Sequence, residues 1–176
     1  MVTHRTAVLL ALGLTAAAGP LSAAEPNPRF EPLKPLLKTW RGALPGAPGD
    51  KPKADVQRWE LALNGQAVRV LHSINDGEYG GESLIVWDEE KKGLVFYYFT
   101  TAGFYTTGTV ATEGGAFVTV ETVKGSADGI TEVKGVTRLL PDGRLQVKTQ
   151  YLKNGVWTDG RDMHYVEAPG AEVRFK

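Results

Sequence analysis

Cysteine is absent from all 176 residues, which excludes disulfides, thiolate nucleophiles and cysteine metal sites and leaves stability to packing. The chain has no net charge at neutral pH and its charged residues are scattered, so no electrostatic feature directs it to nucleic acid or an anionic membrane. Histidine is scarce, with three in all. No phosphate loop, dinucleotide fingerprint, nucleophile elbow or His-Glu-x-x-His helix occurs. The Asp-Gly pairs lack the ligand spacing of a calcium loop and read as turns, so no metal site and no catalytic residue is assigned.

Long apolar runs are missing too. The longest, residues 7–18, follows His4 and Arg5 and precedes the small residues Ser22 and Ala24. About a dozen apolar residues fall short of the roughly 20 that cross a bilayer, so residues 1–24 read as an export signal cleaved after Ala24. The expectation is a periplasmic or secreted protein with no transmembrane segment after cleavage. What remains suits one domain, residues 25–168, followed by a tail at 169–176.

What the chain does have is rhythm. Asn64-Gly65, Asp76-Gly77 with Gly80-Gly81, Lys92-Gly93, Ala102-Gly103, Gly114-Gly115, Asp128-Gly129, Asp142-Gly143 and Asn154-Gly155 punctuate runs rich in Val, Thr, Tyr, Phe and Trp. A spacing of roughly 10 to 14 residues is that of consecutive hairpins. Strands are predicted from Trp40 and over 55–63, 66–75, 83–88, 94–101, 104–111, 116–124, 130–140, 145–152 and 156–167. Ten strands without an intervening helix must close or split into two layers. The fold expected is an all-β, ten-stranded antiparallel meander closed into a barrel. Residues 25–35 carry four prolines, and Phe30, Leu33, Leu36 and Leu37 are spaced as a short helical plug that starts late because of Pro35. A loop rich in Pro and Gly spans 45–53.

Hairpin chemistry predicts which faces turn inward. A two-residue turn at Asn64-Gly65 pairs Leu61 with Val68, Trp59 with Val70 and Gln57 with His72, placing all of these inside and Arg58, Glu60 and Arg69 outside. Pro141-Asp142-Gly143 suits a bulged turn that pairs Leu140 with Arg144 and puts Leu139, Thr137, Leu145, Val147 and Tyr151 on one face, which spares several charges from burial. For Asn154-Gly155 a bulged register puts Trp157, Arg161, Met163 and Tyr165 inside, whereas the alternative buries Asp162 and His164. The first buries more apolar surface. Gly160 could mark a bulge that flips the face midway.

The candidate ligand-binding residues follow from these faces: Trp59, His72, Tyr98, Tyr105, Tyr151, Trp157, Arg161 and Tyr165. His72 is either a satisfied histidine bonded to Gln57 or a hydroxyl, or an axial haem ligand or general base. Aromatic rings at 96–99 and 104–105 either pack a core or line a pocket, with the Tyr98 and Tyr105 hydroxyls available to a polar group. An inward Arg161 needs a partner, either an acidic ligand or a mate such as Asp159, Glu121 or the face of Trp40.

Leu37-Lys38-Thr39-Trp40 before the first strand, the ten-strand meander and the aromatic last strand resemble the calycin group of lipocalins and fatty-acid-binding proteins, with Lys38 where that group carries Gly. Residues 72–77, 79–83, 97–99, 103–108 and 128–131 resemble an uncharacterised family of bacterial exported proteins in the lipocalin-like clan. The resemblance covers roughly residues 30–167 and implies a calycin-type barrel without implying an activity.

The functional expectation is an exported barrel that binds a small hydrophobic ligand with a polar or acidic end, without a cofactor. Alternatives are a haem barrel using His72, an isomerase or lyase with His72 as base and a tyrosine as acid, and a plugged barrel that works as an envelope interaction protein through its outer wall.

Overall fold

The structure is a computed structural model describing residues 25–44, 53–126 and 128–176. The expected export signal and most of the 45–53 loop lie outside the described residues. Ten strands follow in order: β1 Thr39–Leu44, β2 Lys53–Ala62, β3 Ala67–Ile74, β4 Tyr79–Asp88, β5 Gly93–Thr100, β6 Tyr105–Glu113, β7 Ala116–Lys124, β8 Ile130–Leu139, β9 Leu145–Lys153 and β10 Val156–Glu167. Each pairs antiparallel with its successor, and β10 pairs with β1 to close the barrel. Closure leaves no edge strand to seek a partner.

The β2–β3 register is as the turn chemistry predicts, with Leu61 opposite Val68, Trp59 opposite Val70 and Gln57 opposite His72. The loop itself is wider than two residues: Leu63, Asn64 and Gly65 all take positive φ and formal pairing begins at Ala62 with Ala67. Gly65 is required there, because a side chain would press into Pro26. The Pro141-Asp142-Gly143 turn also has the expected bulged form, with the Leu140 amide donating to the Arg144 carbonyl at 2.8 Å and Gly143 at φ 82°.

The last hairpin differs from the preferred register. Asn154-Gly155 makes a tight two-residue turn, pairing Val156 with Lys153 and Trp157 with Leu152, and the register then shifts between Asp159 and Asp162. Gly160 supplies the flip: it turns inward under the Tyr151 ring, where a Cβ would collide with the ring. The shift returns Met163 and Tyr165 to the interior, opposite Val147 and Leu145, and leaves Trp157 facing out.

The plug is a 3-10 helix, Pro28–Leu36, and it starts earlier than an α-helix with Pro35 would allow. Pro32 and Pro35 lie inside it. A three-residue period puts Phe30, Leu33 and Leu36 on one face, and all three are buried. Asn27 caps it by accepting from the Arg29 amide, and the Asn27 amide donates to the Gly65 carbonyl at 2.9 Å, which seats the helix at the end carrying the β2–β3 turn. There the helix joins Trp40, Val68, Ile85, Phe96, Leu145, Met163 and Tyr165 in one apolar core.

Residues 169–176 do not trail free. The Arg174 amide donates to Ser73 Oγ at 3.0 Å, and Phe175 lies against Gly80. Leu71 and Ser73, outward on β3, are buried at 7% and 2% exposure. The C-terminal segment thus straps the outer wall of β3 and β4.

Candidate functional site

Strand alternation, carried through the registers, turns Asp55, His72, Tyr79, Tyr98, Glu121, Tyr151 and Tyr165 into the barrel. These side chains gather beyond the plugged half, toward the end that carries the β3–β4 turn. Val70, Tyr79, Tyr98, Glu121, Val133 and Tyr151 remain only half-buried although they face inward. A filled core would bury them, so this part of the interior is accessible to water-sized groups.

Hydrogen bonds join five of these side chains into one line across the interior. Tyr165 donates its hydroxyl to Asp55 Oδ2 at 2.9 Å, and His72 Nδ1 lies 3.3 Å from Asp55 Oδ1. His72 Nε2 is 2.6 Å from the Tyr98 hydroxyl, which is 3.0 Å from the Tyr79 hydroxyl. Asp55 is 2% exposed, and its carboxylate can only accept. His72 therefore carries a proton on Nδ1, and the state of Nε2 sets the direction of the rest of the line. With a neutral imidazole Tyr98 donates to Nε2 and Tyr79 to Tyr98; with a protonated one Nε2 donates to Tyr98 and Tyr98 to Tyr79.

Burial pushes the phenols of Tyr98, Tyr79 and Tyr165 above their ordinary range; nearby carboxylates, Glu121 for the first two and Asp55 for Tyr98 and Tyr165, push in the same direction. Glu121 stands on β7 opposite Gly108, and its Oε2 accepts from Thr106 Oγ1 at 2.6 Å. Thr106 is the β6 partner of Tyr98. No other hydrogen-bond partner of Glu121 occurs among the described residues, and desolvation raises its carboxyl above the usual range. Between the ordinary and raised values the folded chain binds the extra proton, so this group's contribution to stability falls as pH rises. Glu121→Gln is expected to raise Tm by a few degrees near neutral pH, with the gain vanishing as acid protonates the wild-type carboxyl. Thermal melts from about pH 4 to pH 8 check the sign, and a gain that grows on acidification contradicts it.

Glycines make room for the rings. A Cβ at Gly81 would collide with the Tyr98 ring, one at Gly42 with Tyr165 and one at Gly160 with Tyr151.

Of the eight candidates, Trp59, His72, Tyr98, Tyr151 and Tyr165 face the interior. Trp59 donates to Gln57 Oε1 at 3.3 Å and packs against the apolar core. Tyr105 does not join them: it pairs with Phe99, whose outward parity it shares, and the two rings stack on the outer wall at 6.1 Å. Trp157 is likewise outside, 45% exposed, because the bulge follows it rather than preceding it. Arg161 stands on the bulge, exposed, with the inward parity of Met163 and Tyr165: its amide donates to Thr149 Oγ1 at 2.8 Å, and its charge reaches Tyr79 and Tyr165. It does not meet Trp40, whose Nε1 donates to the Leu36 carbonyl at 3.0 Å and whose ring takes the Lys38 ammonium at 5.8 Å.

Asp55 and Tyr79 escaped the sequence reading, and Glu121 entered it only as a possible mate of Arg161. Asp55 has the parity of Gln57 and Trp59, and extending the β2–β3 register by one pair places it opposite Ile74. Tyr79 was hidden because Gly80-Gly81 reads as a turn, whereas both glycines lie within β4.

For haem ligation by His72 the Nδ1 contact with Asp55 is of the kind a metal-bound histidine keeps, while Nε2 faces the Tyr98 hydroxyl. Iron at Nε2 would displace that hydroxyl and leave the Asp55 contact in place.

No protein-family model matches the chain. No curated protein sequence matches it. Among solved structures it is similar to Rv2717c from M. tuberculosis, with a TM-score of 0.59 and 16% identity, over 82% of this chain and 99% of that one. The likeness shows a shared barrel fold and nothing finer.

Proposed function

We propose that this chain is an exported, lipocalin-like binding barrel that holds a small, mostly apolar molecule with one polar end. One observation carries the reading: a single closed sheet joins an apolar, helix-plugged half to an accessible half bearing a fixed line of polar groups. Apolar pockets with a few oriented polar groups are the usual form of a small-ligand site. Trp59 and the rings of Tyr98, Tyr151 and Tyr165 would wall the ligand, and His72, held from both sides, would fix its polar end.

An environment-sensitive dye is expected to brighten on binding the protein and to be displaced by small lipophiles at micromolar concentration. Failure of every member of a broad lipophile panel to displace it, with a filled interior in a crystal, would remove the reading.

A second reading, an envelope interaction protein that works through its outer wall, is favoured by the exposed aromatic patch of Tyr97, Phe99 and Tyr105, at 46%, 53% and 44% exposure. Contiguous exposed apolar surface of this kind marks interaction sites. Phe99→Ser with Tyr105→Ser would then abolish association while leaving dye binding intact.

A further inference from the structure

We propose that the open half of the barrel catalyses proton transfer on a small apolar ketone, with Glu121 as the base at carbon and the Tyr79 hydroxyl, supplied through Tyr98 and His72, as the acid at oxygen. The inference rests on the binding-barrel reading and adds a chemical step to the same site.

The acid side is a relay. Asp55, His72, Tyr98 and Tyr79 form one unbroken line, with Nδ1 3.3 Å from Asp55, Nε2 2.6 Å from the Tyr98 hydroxyl and that hydroxyl 3.0 Å from the Tyr79 hydroxyl. A phenol hydroxyl both donates and accepts, so the line is complete in either direction and can pass from one to the other. With His72 protonated it points away from Asp55, and Tyr79 holds a proton for an oxygen that meets it. Handing over that proton turns the line around: Tyr98 refills Tyr79, Nε2 refills Tyr98, and a neutral imidazole remains. Asp55 accepts from Nδ1 before and after, which keeps the ring in place throughout.

The base side is Glu121. It stands on β7 opposite Gly108, accepts from the Thr106 hydroxyl at 2.6 Å and bonds to neither phenol among the described residues. Two strands separate its backbone from that of Tyr98, about 10 Å along the wall, yet its charge reaches both Tyr98 and Tyr79. Acid and base thus face one another across a gap of ligand size. Val133, paired with Glu121 on β8, and Tyr151 beyond it bring apolar surface beside the carboxylate. Desolvation raises the carboxyl above its usual range, and an ionised carboxylate so raised is the stronger base. Arg161, whose charge reaches Tyr79 and Tyr165, favours negative charge building on the ligand oxygen.

A ketone seated with its oxygen at Tyr79 and an α-carbon at Glu121 loses the carbon-bound proton to the carboxylate. The C–H electron pair becomes the C=C bond, the C=O π pair moves to oxygen, and that oxygen takes the Tyr79 proton to give the enol. The reverse steps return a proton to carbon and restore both groups, so no further reactant enters.

The test is exchange of the α-protons of cyclohexanone in buffered D₂O near neutral pH, followed by proton NMR with the intact chain. Bound cyclohexanone is expected to exchange at least about a hundredfold faster than free cyclohexanone in the same buffer. Glu121→Gln is expected to lose about a hundredfold in that rate and Tyr79→Phe about tenfold. Tyr79→Phe combined with Tyr98→Phe should lose little more than either alone, as members of one relay do. Glu121→Gln is expected to be at least as stable as the wild type, so its lost rate cannot be ascribed to unfolding, and circular dichroism checks this for every variant. Exchange no faster than in buffer while lipophiles still displace the dye, exchange indifferent to Glu121→Gln or to Tyr79→Phe, or a double variant that loses the product of the two single losses would each overturn the inference and leave a binding barrel standing. Displacement of the dye by neither cyclohexanone nor any other lipophile would overturn the barrel reading itself.

Discussion

Replacing Trp40 with alanine is expected to cost about 3–5 kcal/mol, the range for deleting a large buried aromatic. The ring is 1% exposed and lies at the centre of the core shared by the 3-10 helix, β3, β4, β5, β9 and β10. Two further losses push the value toward the upper end. The indole nitrogen is the partner of the Leu36 carbonyl at the helix C-terminus, and the ring face carries the Lys38 ammonium. For a chain of this size the change corresponds to a fall in Tm of roughly 6–20 °C. Trp40→Phe keeps most of the ring volume and gives up only the hydrogen bond, so it should cost less than half as much. Denaturant titration of both variants measures the pair. A Trp40→Ala loss below about 1 kcal/mol would mean that the helix is not seated on the barrel.

Asp55→Ala is expected to be the most damaging change in the polar half, at about 2–5 kcal/mol. The carboxylate is buried and receives both Tyr165 and His72. Its removal strands two buried donors at about 1–3 kcal/mol each, while relief of its own desolvation offsets part of the sum. Asp55→Asn separates the terms. The amide keeps one acceptor oxygen but turns a donor toward the other partner, so an intermediate loss is expected. It also frees His72 to adopt the other tautomer, which reverses the direction of the donors through Tyr98 and Tyr79. Nitrogen NMR of the His72 ring reads that change directly. A tautomer unchanged in Asp55→Asn would show that Asp55 does not orient the imidazole.

How much of this was legible in the chain itself depended on whether turn chemistry and strand alternation spoke with one voice. At Asn64-Gly65 and at Pro141-Asp142-Gly143 they did, and the registers followed to the residue. At Asn154-Gly155 the turn sets one register and the Gly160 bulge replaces it with another six residues later. Either signal alone misplaces half of β10, hence Trp157. Tyr105 was misplaced for a different reason. Aromatic density suggested a pocket wall, yet Tyr98 and Phe99 are neighbours on one strand and must face opposite ways, and Tyr105 pairs with Phe99. Gly80-Gly81 failed as a turn signal because glycine also serves where a ring crosses the backbone, as Tyr98 does at Gly81. Nothing local in the sequence marks the strap formed by the C-terminal segment, since it depends on Ser73 and Gly80 being brought to one outer surface by the β3–β4 hairpin.

Nine of the ten strand pairings join neighbours along the chain, and only the Trp40–Glu167 seam brings together its two extremes. Assembly can therefore advance one hairpin at a time with modest loop-closure entropy at each step. The seam must wait for the curvature of all the others. Whatever holds β1 in place, chiefly Trp40 and the helix preceding it, thus governs the slowest event in the formation of the barrel.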